Sequence, residues 1–199
     1  MEFFISTFVK MFFIMTPFFV LSVFMSLTEH ATEKERKALA IKVTRAIIII
    51  CLVILFFGKH IFAVFGITLD AFKIGAGAIL FLTAIDLVRG TKEDAKENTK
   101  SLSEIAVVPL AMPITIGPGT IGVLLVFGVS YKSTAELITI TLALISAILL
   151  IGAMLYTSNF IQRVIGKQGL LVMSKITGLI LAGLSAQLIF EGIKSMLNL

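Results

Sequence analysis

The stretch Pro109-Leu-Ala-Met-Pro113-Ile-Thr115-Ile-Gly117-Pro118-Gly119-Thr120-Ile121 combines groups that bind rather than groups that react. It carries three of the four prolines of the chain, two glycines that bracket Pro118, and two hydroxyls, all inside a long apolar run. Proline has no N–H to give a helix, and glycine accepts backbone angles that other residues avoid. A backbone break in hydrocarbon leaves polar groups unpaired, at several kcal/mol each, and persists only where it is buried in protein or lines a cavity. Pro118 suits the first turn of a new half-helix. The start of that half-helix offers N–H donors and the positive end of a dipole. This stretch is therefore the first candidate for a functional centre.

Titratable residues inside apolar stretches are few. Asp86 and Arg89 stand three apart, so on a helix they share a face and can pair. A structural pair is the plain reading, and a gate or proton relay the sharper one. Asp70 and Lys73 repeat the spacing. Gln187, deep in the last apolar block, is either a bond between helices or part of a gate or coupling site. His30 and His60 are far apart and the single cysteine, Cys51, sits in an apolar block, so no metal site and no catalytic set is expected. The chain is read as a non-enzyme without a cofactor.

The elements that must position these residues follow from composition. The 199 residues are 58% hydrophobic with a mean hydropathy of +1.06, above the roughly 45–50% of soluble domains. Six apolar blocks run over about 3–27, 46–65, 69–88, 105–129, 137–156 and 170–197, each near the ~20 residues that span a bilayer. The expectation is an all-α polytopic membrane protein, one membrane domain with six transmembrane helices, the first and fourth interrupted by Pro/Gly. Residues 28–37 alternate in charge and read as a solvated helical extension, and residues 89–104 as a cytoplasmic linker. The net charge of +5 reflects loop lysines and arginines rather than nucleic-acid binding. Twelve of the 17 basic residues fall in the first, third and fifth loops. The positive-inside rule then puts those loops in the cytoplasm and both termini outside.

The two halves correspond. Pro17 and Pro118 are 101 residues apart, Gly66 and Gly166 are 100 apart, and Lys73-Ile74 and Lys175-Ile176, like Gly90 and Gly192, are 102 apart. A nearly constant offset suggests two three-helix repeats, about 1–90 and about 105–199, joined by a linker over about 91–104. Three is an odd number, so the second repeat enters the membrane inverted, the plan of many secondary transporters, with sites at paired broken helices near the midplane. Gly75, Gly77, Gly178 and Gly183 are read as positions of close helix packing.

The Pro109–Pro113 and Gly117–Ile121 motif resembles the signature of the MarC family, also described as small neutral amino acid transporters. The likeness continues through Phe65-Gly66-Ile67, Lys73 to Gly77, Ile165 to Gly169 and Ser174 to Gly178, and so covers essentially the whole chain. It implies a multi-pass cytoplasmic-membrane protein that takes up glycine, alanine or serine on a proton or sodium gradient. The implied partners are a small neutral amino acid and the lipid bilayer, and a homo-oligomer is compatible with both. A passive channel or exporter is the alternative, and an intramembrane enzyme a more distant one. One departure stands out: the family's first-half motif usually reads Asn-Pro with small or aliphatic residues after it, and here it is Thr16-Pro17-Phe18-Phe19.

A zwitterionic amino acid fits the breaks. Its carboxylate needs N–H donors, which Gly117, Pro118, Gly119 and Thr120 provide as a half-helix start, with the Thr120 hydroxyl beside them. Its ammonium needs carbonyls, expected near Pro113 and Thr115. Thr16 and Pro17 would face them from the other repeat. Phe18 and Phe19 would restrict the site's size if they point inward.

Overall fold

The computed structural model describes residues 1–66, 68–90 and 115–197. These form seven helices and no strands. Helix α1 spans Glu2–Ile14 and α2 Pro17–Leu27, followed by α3 (Glu33–Phe65), α4 (Leu69–Arg89), α5 (Pro118–Ser130), α6 (Thr134–Tyr156) and α7 (Ser158–Met196). Among the described residues, five segments are long and apolar enough to cross a membrane: α1 and α2 taken together, Glu33–Phe57, α4, α6 and α7. The apolar helix Gly119–Ser130 is shorter. Pro109, Pro113 and the expected linker over 91–104 lie outside the described residues.

Local sequence explains the ends. Thr32 opens α3 with a capping box: the Glu35 N–H donates to the Thr32 hydroxyl at 3.3 Å, and the Thr32 N–H donates to the Glu35 carboxylate at 2.9 Å. At 33 residues, α3 is about 50 Å long, more than the ~30 Å hydrocarbon core. Of the helical extension expected over 28–37, residues 33–37 form the charged first turns of α3, whereas residues 28–32 form a turn before it. Thr68 and Ser133 cap α4 and α6 more simply, each hydroxyl accepting from the N–H three residues on, of Ala71 and Glu136.

The connection before the sixth block differs from expectation. In place of a short loop, the chain turns helical again at Ser158, and α7 runs on to Met196. Its one non-helical residue is Gly166, at φ 72°, ψ 169°. Gly66, its counterpart in the first half, ends α3 at φ 62°. Glycine takes such angles at no steric cost. Gly90 and Gly192 do not correspond in this way: Gly90 ends α4 at φ 73°, whereas Gly192 is buried inside α7.

The most extensive helix contact is between α4 and α7, and α5 and α2 pack on these two helices respectively. Helices α1 and α3 pack on α6, and α3 also on α5. A side chain on Gly77 would meet the Ser185 carbonyl at 3.0 Å and Ile189 at 2.6 Å. One on Gly178 would meet the Ala84 carbonyl and Val88, both at 2.9 Å. Each residue of the second set lies 101 positions from its counterpart in the first. Gly75 and Gly183 have nothing within 4 Å, so only two of the four glycines expected at close packing are there. The core includes Met11, Leu21, Phe24, Ile47, Leu80, Leu124 and Leu144, all fully buried. Leu82, Leu149 and Phe190 point outward, which suits a lipid-facing surface because lipid tails are as apolar as leucine.

Candidate functional site

The first break lies between α1 and α2. The α1 backbone ends with the Thr16 N–H donating to the Phe13 carbonyl at 2.9 Å. Thr16 then turns left-handed, at φ 49°, ψ 56°, and Pro17 starts α2. Among the described residues Thr16 is the one non-glycine with positive φ. The second break precedes α5, where Gly117 is extended and Pro118 occupies the first helical position. Neither N-cap residue, Thr16 or Gly117, caps its helix with a side chain. The first-turn N–H groups of Phe18 and Phe19, and of Gly119 and Thr120, therefore have no intrahelical partner.

The fold brings the two breaks together. Thr16 lines one small cavity with Thr115, Gly117, Gly119 and Thr120. Ile14, Leu80 and Thr83 complete its wall. Thr120 is a buried residue, and its hydroxyl reaches across to the Ile14 carbonyl at 3.4 Å and back to the Thr115 carbonyl at 3.5 Å. Both distances are long for a hydroxyl donor. Gly119 lies directly against α4, where a Cβ would be 2.8 Å from Leu80 Cδ1 and 3.2 Å from its Cα. The cavity measures about 20 Å³, room for about one water. The described conformation is thus closed around the breaks.

The other expected residues are more scattered. Pro17 is buried in the first turn of α2 but does not line the cavity, and Pro113 lies outside the described residues. Phe18 and Phe19 are half-buried against the core, Phe18 edge-on to Phe12, and neither lines the cavity. Asp86 and Arg89 are exposed at the last turn of α4. Gln187 is elsewhere: it donates to the Glu191 carboxylate at 2.9 Å and lines a separate, larger cavity. Gln187 therefore does not stand with Asp86 and Arg89. Sequence reasoning missed Ile14, Leu80 and Thr83, two of them apolar residues that nothing in a span distinguishes from core. Among the described residues no group of three or more His, Cys, Asp or Glu could hold a metal ion.

A helical chain with several membrane-length segments and two proline-started helices meeting inside it is a polytopic membrane protein. It belongs to the MarC family of integral membrane proteins, which matches residues 1–197. It is 34% identical to a UPF0056 membrane protein of Methanocaldococcus jannaschii over 99% of this chain and 98% of the relative. It is 35% identical to a UPF0056 membrane protein of Aquifex aeolicus over 98% of this chain and 94% of the relative. The UPF0056 membrane protein YhcE of Escherichia coli is 30% identical over 95% of this chain and 91% of its own length. No solved structure matches the chain.

Proposed function

We propose that this chain is a secondary transporter of small neutral amino acids such as glycine, alanine and serine, driven by a proton or sodium gradient across the cell membrane. The observation that carries the reading is the shared cavity of the two breaks. The start of α5 supplies N–H donors at Gly119 and Thr120 and the positive end of a dipole for a carboxylate. The carbonyls of Ile14 and Thr115 lie within reach of one hydroxyl there and offer acceptors for an ammonium. A cavity this small, closed by Leu80 against Gly119, favours substrates without a long side chain. No catalytic step belongs to this reading.

An inverted-repeat plan supports it. The reciprocal contacts of Gly77 and Gly178 are what a two-fold axis between α4 and α7 would produce, because a self-complementary interface pairs each residue with its partner twice over. The packing of α5 on α4 and of α2 on α7 follows the same exchange. Alternating access would then rock one repeat against the other around the closed site, with both termini outside.

Purified protein in liposomes tests the proposal. Labelled glycine or alanine should accumulate against its gradient when a proton or sodium gradient is imposed, and not otherwise. Downhill flux alone would favour a channel or passive exporter, and no flux would end both readings.

A further inference from the structure

The larger cavity, about 240 Å³, lies between α1, α4, α5 and α7, with Lys73 of the first turns of α4 and Ser130 at the end of α5 in its lining. Its polar lining is Lys10, Lys73, Ser130, Gln187 and Glu191. Lys10 stands eight positions into α1, about 12 Å from its start, and Glu191 five positions from the end of α7, about 8 Å. Charges at such depth are costly in lipid and are found facing water-filled cavities. Lys73 is held by Asp70 at 3.6 Å. Among the described residues no carboxylate comes within 4.0 Å of the Lys10 ammonium, and no cation within that distance of Glu191. Among the described residues, one cation and one carboxylate without an ion-pair partner thus line the same cavity, while Gln187 fixes the carboxylate through its 2.9 Å hydrogen bond.

Ile14 and Leu80 line both this cavity and the small one at the breaks. Both side chains are buried. The two spaces therefore share part of their walls, and two apolar side chains stand at that boundary.

We propose that the larger cavity is a capture site for a small zwitterion, with Lys10 on its carboxylate and Glu191 on its ammonium, and that Ile14 and Leu80 gate its passage to the breaks. The proposal rests on the transport reading of the breaks. A neutral molecule with separated poles matches the cavity: Lys73 and Asp70 offset one another, and Lys10 and Glu191 carry one charge of each sign. Charge-assisted contacts of this kind are the stronger hydrogen bonds of proteins. A plain alternative is that Lys10 and Glu191 extend to the headgroups and touch no solute.

Competition against labelled alanine binding and uptake separates the two, using the full chain in lipid. Propionate keeps the carboxylate of alanine and ethylamine keeps the ammonium. Lys10→Gln should weaken alanine about tenfold, the loss expected when a charge-assisted contact goes, and bring it level with ethylamine. Glu191→Gln should weaken it similarly and bring it level with propionate. Lys10→Arg, which keeps the charge, should retain tight binding. A general structural defect would weaken all three ligands together and leave their ranking intact. If the wild type transports alanine and both charge-removing variants keep its half-saturating concentration and the wild-type ranking, the capture site is overturned and the transport reading stands. If the wild type neither binds nor transports alanine or glycine, the transport reading falls and takes the capture site with it.

Discussion

Thr16 holds a left-handed backbone at the point where α1 gives way to α2. For a β-branched residue this is an outlier, and asparagine accepts the region several-fold more readily. The position is the one where the Asn-Pro motif of the resemblance reads Thr-Pro here, so the departure now has a physical content: threonine keeps a hydroxyl at the cavity and bears backbone strain. Thr16→Asn should therefore stabilise the protein by about 1 kcal/mol, the lower end of the cost of a left-handed residue. A higher thermal midpoint in detergent is expected, and a lower one would contradict the strain. Strain of this kind persists where the surrounding structure enforces it, and it clusters at ligand sites. Much of this scale was legible in the sequence. Proline and glycine break helices wherever they stand, so Thr16, Thr115, Gly117, Gly119 and Thr120 could be named before any fold was known. Leu80, Ile14 and Thr83 could not, because an apolar or singly hydroxylated residue in a span carries no mark of what faces it. Lys10 and Glu191 were visible as charges, but their meeting on one cavity depends on the packing of helices from the two ends of the chain.

At the scale of elements, the α4–α7 contact decides which glycines matter. Gly77 and Gly178 have partner backbone within 3.0 Å of an added Cβ, whereas Gly183 has nothing within 4 Å. Gly77→Ala and Gly178→Ala should each destabilise the protein by about 1–3 kcal/mol, the usual effect of overpacking. Gly183→Ala should be neutral or stabilise by up to about 1 kcal/mol, because alanine is the better helix former. Thermal melts of the three variants in one detergent check this, and equal effects at all three positions would contradict the register. In the sequence the glycines look alike, since helical spacing gives a face but not the neighbour that meets it. Long helices were more legible than their ends. The capping box at Thr32 and the apolar core of α3 follow from residue type, but the continuation of α7 from Ser158 does not. There the segment before Gly166 has no strong breaker of its own, and Gly166 bends the helix without creating a loop.

At the scale of the molecule, composition alone indicated a helical membrane protein, and the family and the membrane-length segments agree. The proposed plan adds a two-fold exchange between halves, with a closed site where the two broken helices meet. Its central claim is that a small amino acid binds at the breaks, with the Thr120 hydroxyl among its contacts. Ligand that binds only the folded state raises stability, by about 2.7 kcal/mol at one hundred times its dissociation constant. The most direct measurement is the thermal midpoint of the purified protein with each of the twenty amino acids, for the wild type and for Thr120→Val. Glycine, alanine and serine should raise the wild-type midpoint, leucine and phenylalanine should not, and Thr120→Val should lose most of the shift. Stabilisation by none of the small amino acids, or an equal shift in Thr120→Val, would contradict the claim.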